Sequence, residues 1–343
     1  MIMDKVNKMK KATIATATAT AILTALVSGS SFAATVYKAD GNELKVGGRA
    51  EFRGDFGGDD KGKEIEGTMK NKSRARLNIT GSTEISDSLK GFATYEAEQT
   101  VNSSASNDKN SDFNQRYLFA GLQADFGAIS VGRQDTAGVQ ISQMSDIGTY
   151  TGAQKEFINA GNEQINNTFL YAGTFDALNV KASFIAGEEK DTDGFGLSAI
   201  YNLPIGLGLG LGYASNDNGT GQGAANQIIA GVNYTLNDLY LGLTYTQGDL
   251  DDKAKSEFNG IEFAAQYKIT SNFRLIGVYQ KTENETANVT TTKSDFAELT
   301  GRYDFNKSIY TYVAYKMNNL DKKDLGTAYD AKDSIRLGLR YNF

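Results

Sequence analysis

Ser334-Ile335-Arg336-Leu337-Gly338-Leu339-Arg340-Tyr341-Asn342-Phe343, the last ten residues, decide how the rest of the chain is read. Ile335, Leu337, Leu339, Tyr341 and Phe343 take every second position, and Ser334, Arg336, Gly338, Arg340 and Asn342 fall between them. Successive side chains on a strand point to opposite faces, so the spacing predicts a strand with one apolar face and one polar, charged face. Its length is close to the ~9 to 11 residues that a tilted strand needs to cross a bilayer.

Working outward, the same alternation recurs. Leu44, Val46, Ala50, Phe52 and Phe56 lie opposite Lys45, Arg49, Glu51, Arg53 and Asp55. Leu207, Leu209, Leu211 and Tyr213 alternate with Gly206, Gly208, Gly210 and Gly212, while Leu239, Leu241, Leu243 and Tyr245 alternate with Tyr240, Gly242, Thr244 and Thr246. Shorter copies carry Val180, Ala182 and Phe184, then Ile228, Ala230 and Val232, then Ile261, Phe263 and Ala265. About sixteen such segments can be counted.

The connections follow a rhythm of their own. Short turns fall at Asn202 to Pro204, Thr235 to Asp238, Thr270 to Asn272 and Asn306 to Ser308. Longer polar stretches lie at Gly57 to Asn71, Val101 to Ser111, Ser215 to Asn226, Asp249 to Glu257, Thr282 to Ser294 and Asn318 to Lys332. Alternating short and long connections fit a barrel with one rim in the periplasm and the other facing outward. A secreted sandwich would also alternate, but here charges of both signs line the polar faces and Tyr and Phe gather near strand ends. Those features fit a water-filled lumen and interfacial aromatic girdles. The expectation is an all-β transmembrane antiparallel barrel of 16 strands with long extracellular loops and short periplasmic turns. No water pairs a free sheet edge in hydrocarbon, so the Phe343 strand and the Leu44 strand should be hydrogen-bonded neighbours.

Residues 1 to 33 read as a cleaved signal peptide and residues 34 to 343 as the barrel. Lys5, Lys8, Lys10 and Lys11 form a basic start, a small and apolar run follows, and Ser31-Phe32-Ala33 suits cleavage after Ala33. Removing four Lys and one Asp takes the net charge from -6 to -9. An acidic chain without a basic patch argues against nucleic acid as a partner.

The chain has no Cys, no His and one Pro, Pro204, which belongs in a turn. Without Cys or His, disulfides, transition-metal sites, a Ser-His-Asp triad and a Cys nucleophile are all excluded. No enzyme activity, cofactor or metal site is expected. The glycine row from Gly206 to Gly212 sits in a strand-period repeat with no helix signal after it, so it fails the test for a dinucleotide loop and reads as widening the lumen. The clustered acids Asp249, Asp251 and Asp252 allow two readings: solvation of a loop, or Mg2+ or Ca2+ shared with lipopolysaccharide.

Several stretches resemble the trimeric general porins of Gram-negative bacteria: Ala34-Thr35-Val36-Tyr37 with Asp40-Gly41-Asn42, Ala75-Arg76-Leu77, Phe119-Ala120-Gly121-Leu122, Val131-Gly132-Arg133, Phe305-Asn306-Lys307 with Tyr312-Val313, and the terminal Tyr341-Asn342-Phe343. The resemblance covers residues 34 to 343. It implies an exported outer-membrane homotrimer that passes ions and small hydrophilic solutes, inserted by the barrel assembly machinery through the Phe343 strand and surrounded by lipopolysaccharide and outer-membrane lipid. It also implies a third extracellular loop, about Gln134 to Asn162, folded into the lumen.

The resemblance sets the acids of that loop against a basic wall of Arg49, Arg76 and Arg116, with Arg74 and Arg133 nearby. It leaves the loop carboxylate open between Asp146 and Glu156, because the Pro-Glu-Phe-Gly-Gly stretch of enteric members is missing. Asn162 stands at a further family arginine position and no arginine pair occurs near Lys190, so the wall is expected to be thinner than in the family. The same arginines could simply pair with Glu51, Glu96 and Glu98, and both readings can hold together.

The acidic balance predicts mild cation preference. Two other functions compete with a general diffusion pore: a substrate-specific porin, marked by an aromatic track that Tyr240, Tyr310 and Tyr312 do not complete, and an adhesin or phage-receptor barrel using its outer loops.

Overall fold

Strict alternation produces strands along the whole chain. In the computed structural model, which describes residues 33–101 and 111–343, eighteen strands make one sheet. The first half contains β1 (Ala34–Ala39), β2 (Asn42–Gly57), β3 (Lys70–Asn71), β4 (Arg74–Ser86), β5 (Leu89–Val101), β6 (Ser111–Ala124), β7 (Gly127–Gln134), β8 (Ile165–Phe175) and β9 (Leu178–Ile185). The second half contains β10 (Gly194–Asn202), β11 (Leu207–Asp217), β12 (Ala224–Leu236), β13 (Leu239–Asp251), β14 (Ser256–Lys268), β15 (Phe273–Thr286), β16 (Val289–Asp304), β17 (Ile309–Asn318) and β18 (Ser334–Asn342). The expected signal peptide, apart from Ala33, and the interior of the connection from Val101 to Ser111 lie outside the described residues.

β1 folds back on β2 just past the end of β18, and the two-residue β3 adds to the other end of β2. The remaining sixteen strands form a closed antiparallel ring. The ring closes as anticipated, with Ser334 opposite Gly57 and Asn342 opposite Arg49. The Phe343 carbonyl accepts from Gly48 N at 2.8 Å, and Phe343 N donates to Gly48 O at 3.1 Å. No strand edge is left for lipid to cover.

The two faces of the ring are inverted relative to a water-soluble protein. Outward-facing Leu197, Leu211 and Phe195 are each more than half exposed, whereas Arg336 on the inner face is 2% exposed. Transfer of one large apolar side chain out of water contributes roughly 1.5–3 kcal/mol, so the outer wall is stable only against hydrocarbon.

Pro204 lies in the turn between β10 and β11. Two of the long connections turn out short. β13 runs to Asp251 and β14 starts at Ser256; β15 and β16 are joined by Ala287 and Asn288 alone, at φ 51° and 62°. Positive φ at both central residues is the geometry of a tight hairpin turn. These strand tips rise past the apolar belt with Glu283, Glu285, Thr290, Thr291 and Thr292 paired across them, so both faces are polar and the alternation that marks a membrane strand is absent.

Candidate functional site

The connection between β7 and β8, residues 135–164, folds into the barrel and supplies the core that the lumen would otherwise lack. A single helical turn, α1 (Val139–Ser142), is wholly buried. Ile141 and Met144 pack on Ile229, while Ile158 and Ala160 pack on Ile185, Ala214, Ala225 and Phe258. Phe157 stacks on Phe258 at 4.2 Å between ring centroids.

The glycines of the facing wall make this docking possible. A Cβ on Gly210 would stand 2.8 Å from Ile141, one on Gly231 2.7 Å from Met144, and one on Gly242 2.0 Å from the Met144 carbonyl. These glycines therefore seat the inward loop, and at Gly210 the reading that the Gly206 to Gly212 row widens the lumen is corrected: the space there is filled by Ile141 and Met144.

Polar anchors complete the seat. Ser145 Oγ donates to Glu262 at 2.7 Å and Gly152 N donates to the same carboxylate at 3.1 Å. Tyr240 donates to the Met144 carbonyl at 2.7 Å, and Gln140 donates to Ser198 at 2.7 Å. Gly152 takes φ 111°, a backbone conformation that favours glycine, and turns the chain back across the lumen. At the tip, Glu298 accepts from Thr149 N at 2.8 Å and from Tyr150 N at 3.1 Å.

The wall formed by β2, β4 and β6 is basic, but its charge is shared. Arg76 pairs with Glu98 at 2.6 Å and Glu96 at 3.3 Å; Arg116 pairs with Glu96 at 2.8 Å. Arg49 reaches Glu98 at 3.4 Å, and Arg74 reaches Glu51 at 2.7 Å. Four of the five anticipated arginines thus form one network with the three glutamates named from sequence. Arg133 does not join it: its guanidinium donates to the Gln115 carbonyl and to Asn166, both at 2.9 Å.

Further arginines stand along the inner wall. Arg340 pairs with Glu51 at 3.1 Å, Arg336 with Asp55 at 2.6 Å and Arg302 with Asp304 at 2.5 Å, while Arg53 donates to the Thr149 carbonyl at 2.9 Å. The inner wall therefore carries arginines beyond the five anticipated, and the inward parity of Arg53, Arg336 and Arg340 in their strands' alternation was the signal that could have found those three.

On the loop, the two candidate carboxylates differ. Asp146 is engaged by Lys155 at 2.6 Å and by Thr151 Oγ1 at 2.8 Å. Burial alone would lower the Lys155 ammonium, but Asp146 and Glu163 hold it above its ordinary range. Glu156, one residue on, is exposed and carries no ion pair or side-chain hydrogen bond among the described residues. Its surroundings still desolvate it, and together with Glu163 and Asp146, against the pull of Lys155, they raise its carboxyl above the usual range. Glu163 lies within electrostatic reach of Arg116 across the network.

A closed sixteen-strand ring with a lumen narrowed by one inward loop is a channel architecture, and the comparisons identify its family. The family model described as Gram-negative porin matches residues 17–323. The chain belongs to the Gram-negative porins. It is 33% identical over 360 residues to outer membrane protein U of Vibrio vulnificus, covering 98% of this chain and 100% of that protein. Porin-like protein L of Photobacterium profundum is 32% identical, covering 95% and 98%. Among solved structures, Salmonella typhi OmpF in complex with daunomycin superposes with TM-score 0.78 at 20% identity, covering 90% of this chain and all of that one. The trimer form of OmpT from Vibrio cholerae gives TM-score 0.67 at 17% identity, covering 89% and 100%. This porin is an outer-membrane diffusion channel for ions and small hydrophilic solutes.

The acids Asp249, Asp251 and Asp252 are used locally. Asp251 accepts from Gly223 N at 3.2 Å and Ala254 N at 2.9 Å, and Asp252 accepts from Ala224 N at 2.9 Å. Among the described residues no group of three or more acids is arranged to hold a metal ion.

Proposed function

We propose that the pore is mildly cation-selective and that Glu156 sets the preference, facing a lumen wall whose arginines are largely neutralised in place. The observation that carries this is the contrast in pairing. Arg49, Arg74, Arg76 and Arg116 share Glu51, Glu96 and Glu98, whereas the Glu156 carboxylate meets the solvent without a partner. Fixed charges of opposite sign across a narrow aqueous gap orient dipolar solutes, and an unpaired one biases which ion enters. Arg133 has no part in this constriction.

A general pore fits better than a substrate-specific one. Tyr240 is spent on the Met144 carbonyl, and Tyr310 and Tyr312, 6.2 Å apart, join Tyr150 and Phe296 in a cluster that is largely buried at the loop tip and so offers no open track. The reversal potential across a KCl gradient tests the selectivity. The parent should give the cation-selective sign and Glu156→Gln a shift toward zero; an anion-selective parent would refute the proposal.

The pore is further proposed to be a homotrimer. One related structure is described as a trimer form, and the outward face of β2, β4, β5 and β6 carries small residues. Ala50 lies opposite Ala75 and Ala93 opposite Ala120, all exposed. These alanines leave gaps between Phe52, Leu77, Leu118 and Leu122, larger exposed side chains of the same strands, where a second copy would interlock. Cleavage after Ala33, contact with lipopolysaccharide and recognition of the β18 strand with Phe343 by the barrel assembly machinery complete the proposed life history. N-terminal sequencing of the outer-membrane form checks the cleavage site.

A further inference from the structure

We infer that Arg336 is the positioning residue of the constriction and that Asp60, in the first surface loop, holds Arg336 in place, so that the outer loop governs the tip of the inward one. The inference extends the channel reading and does not depend on the sign of selectivity.

Arg336 stands on the inner face of β18 with four partners around one guanidinium. Nε and Nη2 bind Asp55 on β2 at 2.6 and 2.8 Å. Nη2 also binds Asp60, which belongs to the connection between β2 and β3. Nη1 donates to the Thr149 carbonyl at 2.9 Å, and the guanidinium carbon lies 3.9 Å from the centroid of the Tyr150 ring. Thr149 and Tyr150 form the tip of the inward loop. A planar guanidinium has donors in a fixed fork, so its orientation dictates where that carbonyl sits.

The other contacts at the tip converge on the same arrangement. Arg53 donates to the Thr149 carbonyl at 2.9 Å, and Tyr150 Oη meets Ser334 Oγ at 2.9 Å. Asp60 is itself gripped from two sides: Lys72 meets its carboxylate at 2.8 Å, and Lys316 Nζ donates to its backbone carbonyl at 3.0 Å. The same Lys316 ammonium lies 4.5 Å from the Phe296 ring centroid and 5.3 Å from that of Tyr150. A surface loop and a pore-lining loop, far apart in sequence, are therefore joined through two side chains, of which only Arg336 reaches the Asp60 carboxylate. Asp59, the preceding residue, differs: its carboxylate accepts from Lys61 N, Lys63 N and Lys70 Nζ, all outside the inward loop.

Single-channel recording on the purified full-length porin tests this. Asp60→Asn should leave the barrel assembled, judged by unheated gel mobility, yet raise open-channel noise several-fold and change conductance. Asp59→Asn should behave as the parent. Arg336→Lys should be noisier than the parent but quieter than Arg336→Gln, because an ammonium can reach Asp55 or Thr149 but not both with the same geometry, whereas the amide holds neither. Asp60→Asn with parental noise and conductance would overturn the inference whether or not the Arg336 variants assemble. So would equal noise in Asp59→Asn and Asp60→Asn. An absence of any steady conductance in the parent would instead refute the channel reading and is distinguishable from either outcome.

Discussion

At the residue scale the lumen holds its charges mostly in pairs. Glu98 alone meets Arg49, Arg74 and Arg76, so its loss would leave three guanidinium groups short of a partner. Removing one member of such a buried network costs on the order of 3–5 kcal/mol where the other charges stay uncompensated. Glu156 has no ion pair or side-chain hydrogen bond among the described residues, and its environment makes the pore sensitive to acid. Its raised carboxyl takes up a proton at a higher pH than an ordinary glutamate, near about 4.3. As pH falls toward that value Glu156 becomes neutral ahead of an ordinary glutamate, and cation preference should drop with it. Reversal potentials measured between pH 7 and pH 4 check this: the parent should shift over the range, while Glu156→Gln should stay flat across its upper part.

Which residues would matter was only partly legible at this scale. Arg49, Arg74, Arg76 and Arg116 could be named because the resemblance to the porins aligns them with that family's basic wall. Arg133 could not be separated from them, because β7 changes register between Gly132 and Gln134 and alternation no longer predicts the face there. The choice between Asp146 and Glu156 was closed to sequence reasoning for a different cause. Lys155 adjoins Glu156 in the chain and stands nine residues from Asp146, and only the folded loop decides that it binds Asp146.

At the scale of elements, glycine on the strands and bulk on the loop are complementary. Gly210, Gly231 and Gly242 line up across β11, β12 and β13 where Ile141 and Met144 come in, a match between distant parts of the chain that no local pattern reveals. Gly242 is the most confined, since its added Cβ would meet a backbone carbonyl that has no rotamer with which to move aside. Gly242→Val should therefore displace the inward loop, changing single-channel conductance by tens of per cent or more and lowering thermal stability by about 1–3 kcal/mol, as overpacked sites do. Unchanged conductance and melting would show that the loop is not seated there. The strands themselves were readable because their faces differ, whereas the tips at Thr282 to Ser294 were not, because water bathes both of their sides.

At the scale of the whole molecule, the ring closure was forced by hydrocarbon and could be inferred from the terminal alternation alone. Assembly depends on the outer surface. If copies meet through the small residues of β4 to β6, Ala93→Trp should disrupt the trimer, and light scattering in detergent would show a fall from three chains toward one; an unchanged mass would place the contact elsewhere. The central claim is that the lumen is an open, loop-narrowed aqueous passage. Planar-bilayer recording of the purified porin tests it most directly: the account predicts steady conductance that rises in proportion to the conductivity of the salt solution, and a protein that inserts yet passes no steady current would contradict it.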